Sequence, residues 1–158
     1  MKKYNRDLAV NYARKYALDY NPKYFHFGGI GGDCTNFISQ CLLAGGGVMN
    51  YDKYYGWFYV NKDNRAPSWT SVKYLQRFLL TENKPGFVAK VCPIKDLIIG
   101  DIIQIRQHKL DFNHTVIISK IAQNEIYVCS HSYDALDKPL SEYFYLELKG
   151  IHILGIND

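Results

Sequence analysis

The chain has 158 residues, 47% of them hydrophobic and 22% charged, a balance that excludes a disordered polymer and suits a single domain of 1–158 with a core of ordinary size. The net charge of +4 comes without a long Lys/Arg run or a basic helix, so nothing here points to nucleic acid; weak attraction to an anionic polymer such as a cell wall is compatible. No apolar run is long enough to span a bilayer, and the basic start MKKYNRDLAVNYARK lacks the apolar stretch of a signal peptide. The chain is therefore expected to be either intracellular or a domain of a longer, exported protein.

In chain order, residues 5–20 read as a helix. Leu8, Tyr12 and Tyr16 recur every four residues beside Ala9, Ala13 and Ala17, Asn5 stands where a cap belongs, and Pro22 stops the element. The loop at 26–32 holds four glycines. A second helix is predicted over Cys34 to Ala44, with Phe37, Ile38, Cys41 and Leu42 inward and Gly45, Gly46 and Gly47 ending it. Residues 48–67, rich in tyrosine and without a clear period, read as a long loop, and Ser68 to Leu80 as a third helix that buries Val72, Leu75 and Leu79. The second half changes to short β-branched runs, DIIQIRQ, HTVIIS, IYVCSH and GIHILGI, which suggest a meander of antiparallel strands. Helices followed by strands imply an α+β layer architecture.

The four cysteines form no CxxC pair and match no zinc module. Cys34 and Cys41 stand two helical turns apart, about 10 Å along the axis, too far for a disulfide, so the thiols read as reduced. Cys34 is singular in its placement at the start of a predicted helix after a glycine-rich loop. There the unpaired N–H groups and the positive end of the helix dipole favour thiolate and can hold an oxyanion. The competing reading is a small, inert core residue.

A thiol nucleophile needs a base. His114 opens one predicted strand and His131 closes the next. If these strands pair through the turn at Ala122 to Glu125, the two histidines become neighbours, and His131 or Asp134 could orient the imidazole of His114. Polar residues satisfied at strand ends are the alternative. His108, Asp111 and His114 have three-residue steps, but they span a strand end and a turn, so no metal is expected there. His26 could line a cleft, His152 has no obvious partner, Asp33 and Thr35 suit helix capping or positioning of the loop, and Trp57 and Trp69 could form cleft walls.

Six blocks in order resemble the putative amidase domain family, a branch of the papain-like NlpC/P60 and CHAP superfamily: YNRDLAVNYARKYALDYNPKY, GGDCTNFISQCLLAGG, SWTSVKYLQRFL, GDIIQI, NHTVIIS and SHSYDALDKPL. The resemblance implies helices packed on an antiparallel sheet and a bacterial hydrolase without cofactor or metal. It implies Cys34 as nucleophile, His114 as base and a third polar residue at His131 or Asp134, acting on a peptide amide through a thioester. Peptidoglycan peptides are the implied substrate. A non-catalytic module binding peptide or glycan, or an acyltransferase using the same thioester, would carry the same blocks.

Overall fold

The computed structural model describes residues 1–28 and 32–158; of the glycine-rich loop, residues 29–31 lie outside the described residues. Helix α1, Arg6–Tyr16, starts where expected, with the Asn5 side chain accepting from the Leu8 N–H. It ends four residues earlier than the periodicity suggested, because the chain turns there, the Asp19 N–H bonding the Tyr16 carbonyl. Its inward face is the small-residue row Ala9, Ala13 and Ala17 with Val10, whereas Leu8 is 52% exposed. Alanines let α1 lie close to helix α2, Cys34–Ala44, whose Phe37, Ile38, Cys41 and Leu42 are fully buried.

The segment read as a loop at 48–67 contains a small hairpin, β1 (Tyr59–Asn61) with β2 (Asn64–Arg65), and leads into α3, Pro67–Thr70. The expected third helix is two. Ser71 adopts an extended conformation between α3 and α4 (Val72–Leu80) and caps α4 by accepting from the Tyr74 N–H. Leu75 and Leu79 are buried as expected, Val72 only in part, and Phe78 joins them.

Six antiparallel strands form the main sheet: β3 (Gly86–Cys92), β4 (Ile102–Arg106), β5 (His114–Ala122), β6 (Glu125–Ser130), β7 (Ala135–Pro139) and β8 (Glu147–Asn157), in the order β3-β8-β4-β5-β6-β7. Only β4 to β7 form a meander. β8 enters between β3 and β4, and β3 and β7 escaped the sequence reading because their solvent-side residues break the apolar pattern. Both faces of the centre are covered. Ile102, Ile117 and Cys129 pack under the helices, while Ile103, Ile105, Val116, Ile118 and Val128 pack against Leu97, Leu140 and Tyr143. That accounts for the unbroken apolar runs of β4 and β5.

Trp57 and Trp69, ring centroids 4.8 Å apart, are fully buried in the helix-side core and form no cleft wall. His152 does have a partner: its Nδ1 lies 2.8 Å from Oδ2 of Asp101. Asp101, fully buried, also accepts from Arg6 Nη1 (2.7 Å) and from the N–H groups of Ile98 (2.9 Å) and Ile153 (3.0 Å), tying α1 to β4 and β8. Asp101→Ala strands these donors, and loss of one partner of a buried ion pair costs about 3–5 kcal/mol. Urea unfolding is expected to show that drop in midpoint at unchanged m-value.

Candidate functional site

Gly32 (φ +98°) precedes Asp33 at the head of α2, and a Cβ on it would lie 3.2 Å from Ser132 Oγ, so the chain approaches the β6–β7 turn closely there. Ser132 Oγ accepts from the Asp33 N–H at 2.8 Å. These contacts hold the first residue of α2, Cys34, at the base of a cavity of about 430 Å³. The wall includes Tyr20, His26, His114, Tyr133 and Asp134, so three of the residues anticipated from sequence (Cys34, His114, Asp134) share one cavity with His26. Gln107 and Asn113 brace another part of the wall by mutual bonds, Asn113 Nδ2 to Gln107 Oε1 at 2.9 Å and the Gln107 N–H to Asn113 Oδ1 at 2.8 Å. His26 packs against Tyr20 with ring centroids 3.9 Å apart and the rings tilted by 43°.

β5 and β6 pair as expected through the turn at Gln123 and Asn124, which takes positive φ at both residues; Ile117 stands opposite Cys129, and the register shifts between Ile118 and Lys120. His114, at the head of β5, is only 5% exposed, and its Nε2 is buried without a hydrogen-bond partner among the described residues. Such atoms are rare in native proteins and call for an explanation. Burial, with the positive charge of Lys138 nearby, lowers the His114 pKa to about 4, so the imidazole is neutral at physiological pH.

The thiol differs from expectation. Cys34 is 8% exposed, and burial pushes its pKa above the usual value, against the opposing pull of hydrogen bonds from the backbone of Thr115 and from Thr35. Its side-chain contact is Thr35 Oγ1 at 3.7 Å, and Thr35 in turn meets Thr115 Oγ1 at 3.1 Å. Desolvation, with the charge of Asp33 adding to it, outweighs these hydrogen bonds, and the resting pair is a neutral thiol and a neutral imidazole in one cavity with no hydrogen bond between them.

His131 lies elsewhere than beside His114. Its Nδ1 is 2.6 Å from Asp33 Oδ2, its Nε2 is 2.7 Å from the Tyr16 carbonyl oxygen, and its ring stacks on Phe37 at 4.1 Å. Both ring nitrogens are thus engaged away from His114. Burial works against the charged forms of both partners, but hydrogen bonding prevails: it holds the Asp33 carboxyl below its usual range and raises His131. Nor does the Asp33 side chain cap α2. Its Oδ1 instead accepts from the Phe27 N–H of the glycine-rich loop at 2.8 Å, the loop contact that the sequence allowed it, whereas the bond to His131 had no signal in the sequence. His26, Asp33 and His131 bring one potential metal-ligand atom each within 4.8 Å of one another, but a cation there would have to break a hydrogen bond of His131. His108 and Asp111 sit on an exposed loop and take no part.

A family model described as "Putative amidase domain" matches residues 3–154. The chain belongs to this family. Its relatives include two proteins of Bacillus subtilis (strain 168) that carry the descriptions "Uncharacterized protein YhbB" and "Uncharacterized protein YjcM". The first is 35% identical over 137 residues, covering 84% of this chain and 42% of the relative; the second is 27% identical over 147 residues, covering 88% and 33%. The chain thus spans less than half the length of either relative. No solved structure matches. No helix among the described residues is long and apolar enough to cross a membrane.

Proposed function

We propose that this member of the family is a cysteine-dependent amidase of papain-like organisation, related to the NlpC/P60 and CHAP enzymes, that cleaves a peptide amide through a thioester, with peptidoglycan peptides as the substrate class. The single observation that carries the reading is that the buried imidazole of His114 lines the same cavity as Cys34, which stands at a helix start. A neutral imidazole offers one ring nitrogen that can accept a proton. A thiol proton is what it would take as substrate displaces water and draws the two groups together, since catalytic hydrogen bonds are often long in free enzymes.

In this reading His114 removes the proton of Cys34 as sulfur attacks the amide carbon. The N–H groups at the start of α2, that of Cys34 included, face the developing oxyanion. His114 then protonates the departing amine and activates the water that hydrolyses the thioester. No orienting residue bonds the His114 ring among the described residues. Asp134 lines the same cavity and is the candidate for that part in this reading.

The test is alkylation of all four cysteines by iodoacetamide as a function of pH, resolved by peptide mapping. Cys34 is expected to be labelled ahead of the fully buried Cys41 and Cys129, at a rate that climbs into the alkaline range, because burial raises its pKa. His114→Ala is expected to slow the reaction near neutral pH. No labelling of Cys34 at any pH, or an unmoved rate in His114→Ala, would remove the reading.

A further inference from the structure

An aspartate before the first residue of a helix ordinarily caps it, its carboxylate accepting from an N–H of the first turn, an arrangement favoured further by the helix dipole. Asp33 occupies that place in α2 and makes no such bond. Its Oδ1 accepts from the Phe27 N–H and from Asn36 Nδ2, both at 2.8 Å, and its Oδ2 from His131 Nδ1 at 2.6 Å. His131 is itself anchored to the Tyr16 carbonyl at the end of α1, so Oδ2 is held by His131 while Oδ1 is held by the Phe27 N–H and by the side chain of Asn36 in the first turn of α2, and neither oxygen takes a backbone N–H of that turn. Left unheld, a carboxylate beside a helix start would settle on it. In α2 that would place a negative charge against the Cys34 thiolate and occupy donors that an oxyanion would use. His114, whose Nε2 has no hydrogen-bond partner among the described residues, lines the adjoining cavity together with Cys34.

We propose that His131 is a positioning residue that withholds the Asp33 carboxylate from the start of α2, keeping that helix end open to the thiolate of Cys34 and to the oxyanion formed beside it. This assigns the acid–histidine pair a task distinct from orienting His114, and it rests on Cys34 being the nucleophile. A charged pair that is neutral as a whole also opposes the thiolate less than a lone carboxylate would, in keeping with the lowered pKa of Asp33 and the raised pKa of His131.

The consequence is a rescue. His131→Ala frees Oδ2 of Asp33 to reach the first turn of α2 while Oδ1 stays on Phe27 and Asn36, and is expected to slow iodoacetamide labelling of Cys34 by about tenfold or more at fixed pH. Adding Asp33→Ala, which cannot cap, is expected to return the rate to within about threefold of wild type, a non-additive result reserved for coupled residues. A double variant as slow as His131→Ala, or slower, would show a merely structural pair and overturn the proposal. If His131→Ala does not fold, His131→Phe, which fills the ring's place on Phe37 but has no donor, gives the same comparison with and without Asp33→Ala. The wild-type protein offers a variant-free check by NMR, in which the Nδ1 proton of His131 is expected strongly downfield and protected from exchange; its absence would overturn the clamp. A wild-type protein that shows this proton but never labels at Cys34 would instead defeat the nucleophile reading.

Discussion

Cys34→Ala is expected to lower hydrolysis of a susceptible cell-wall peptide by at least about a thousandfold, since removing a nucleophile leaves only the contribution of binding and oxyanion stabilisation. Digests of peptidoglycan fragments by wild type and variant, read by mass spectrometry, measure it. The fold should tolerate the change. Cys34 lies at a cavity wall rather than in the helix-side core, so loss of its sulfur leaves little new void, and the unfolding free energy is expected to move by less than about 1 kcal/mol. Cys34→Ser keeps the shape but supplies a much weaker nucleophile, and it should fall nearly as far. Turnover near the wild-type rate in either variant would exclude a thioester on Cys34, whatever else binds in the cavity.

The second large effect concerns His114 and has two signs. Removing a general base commonly costs about a hundred- to ten-thousandfold in rate, and His114→Ala is expected to fall in that range. The same substitution should make the protein more resistant to acid. The imidazole titrates at about 4 in the folded chain, against 6.5 for its ordinary value. Between those values the unfolded chain binds a proton that the native state refuses, so native stability falls as pH drops from 6.5 to 4. The full penalty, present below about pH 4 and absent above 6.5, is of the order of 3 kcal/mol. Wild type is expected to show this loss in urea unfolding followed across the window, on top of whatever other groups contribute, and His114→Ala to lack that share. Parallel pH slopes in the two proteins would mean that His114 is not held neutral by burial. In activity, the same neutral state predicts an acid limb near pH 4 rather than near 6.5.

Two opposing pulls on Cys34 could not be ranked from the sequence. A helix terminus lowers a thiol pKa and burial raises it. The position at residue 34 is legible, because a glycine loop followed by an apolar helical run fixes where the helix begins, and α2 has the bounds expected. How deep the sulfur lies depends on how closely α2 packs on β5, a contact between residues some eighty positions apart. With the thiol 8% exposed, desolvation prevails. His131 makes the same point. Pairing of its strand with that of His114 follows from two apolar runs and a short turn, and the pairing was found as expected. Which residue each ring meets depends on Asp33 and the Tyr16 carbonyl, brought in by helices from the far end of the sequence.

What the sequence determined by itself is local or repetitive: the extent of α2, the cap of α1 by Asn5, the strand character of β4 to β6 and β8, and the family blocks that single out Cys34 and His114. These rest on turn chemistry, capping and periodicity, which act within a few residues. The tertiary structure alone decided the insertion of β8 between β3 and β4, the burial of Trp57 and Trp69, the partners of Asp101 and the pairing of Asp33 with His131. Each of these is a contact between distant segments whose geometry is set when the helices close over the sheet. A buried charge takes whichever partner that closure delivers, because leaving it unpaired costs more than any local preference can offset.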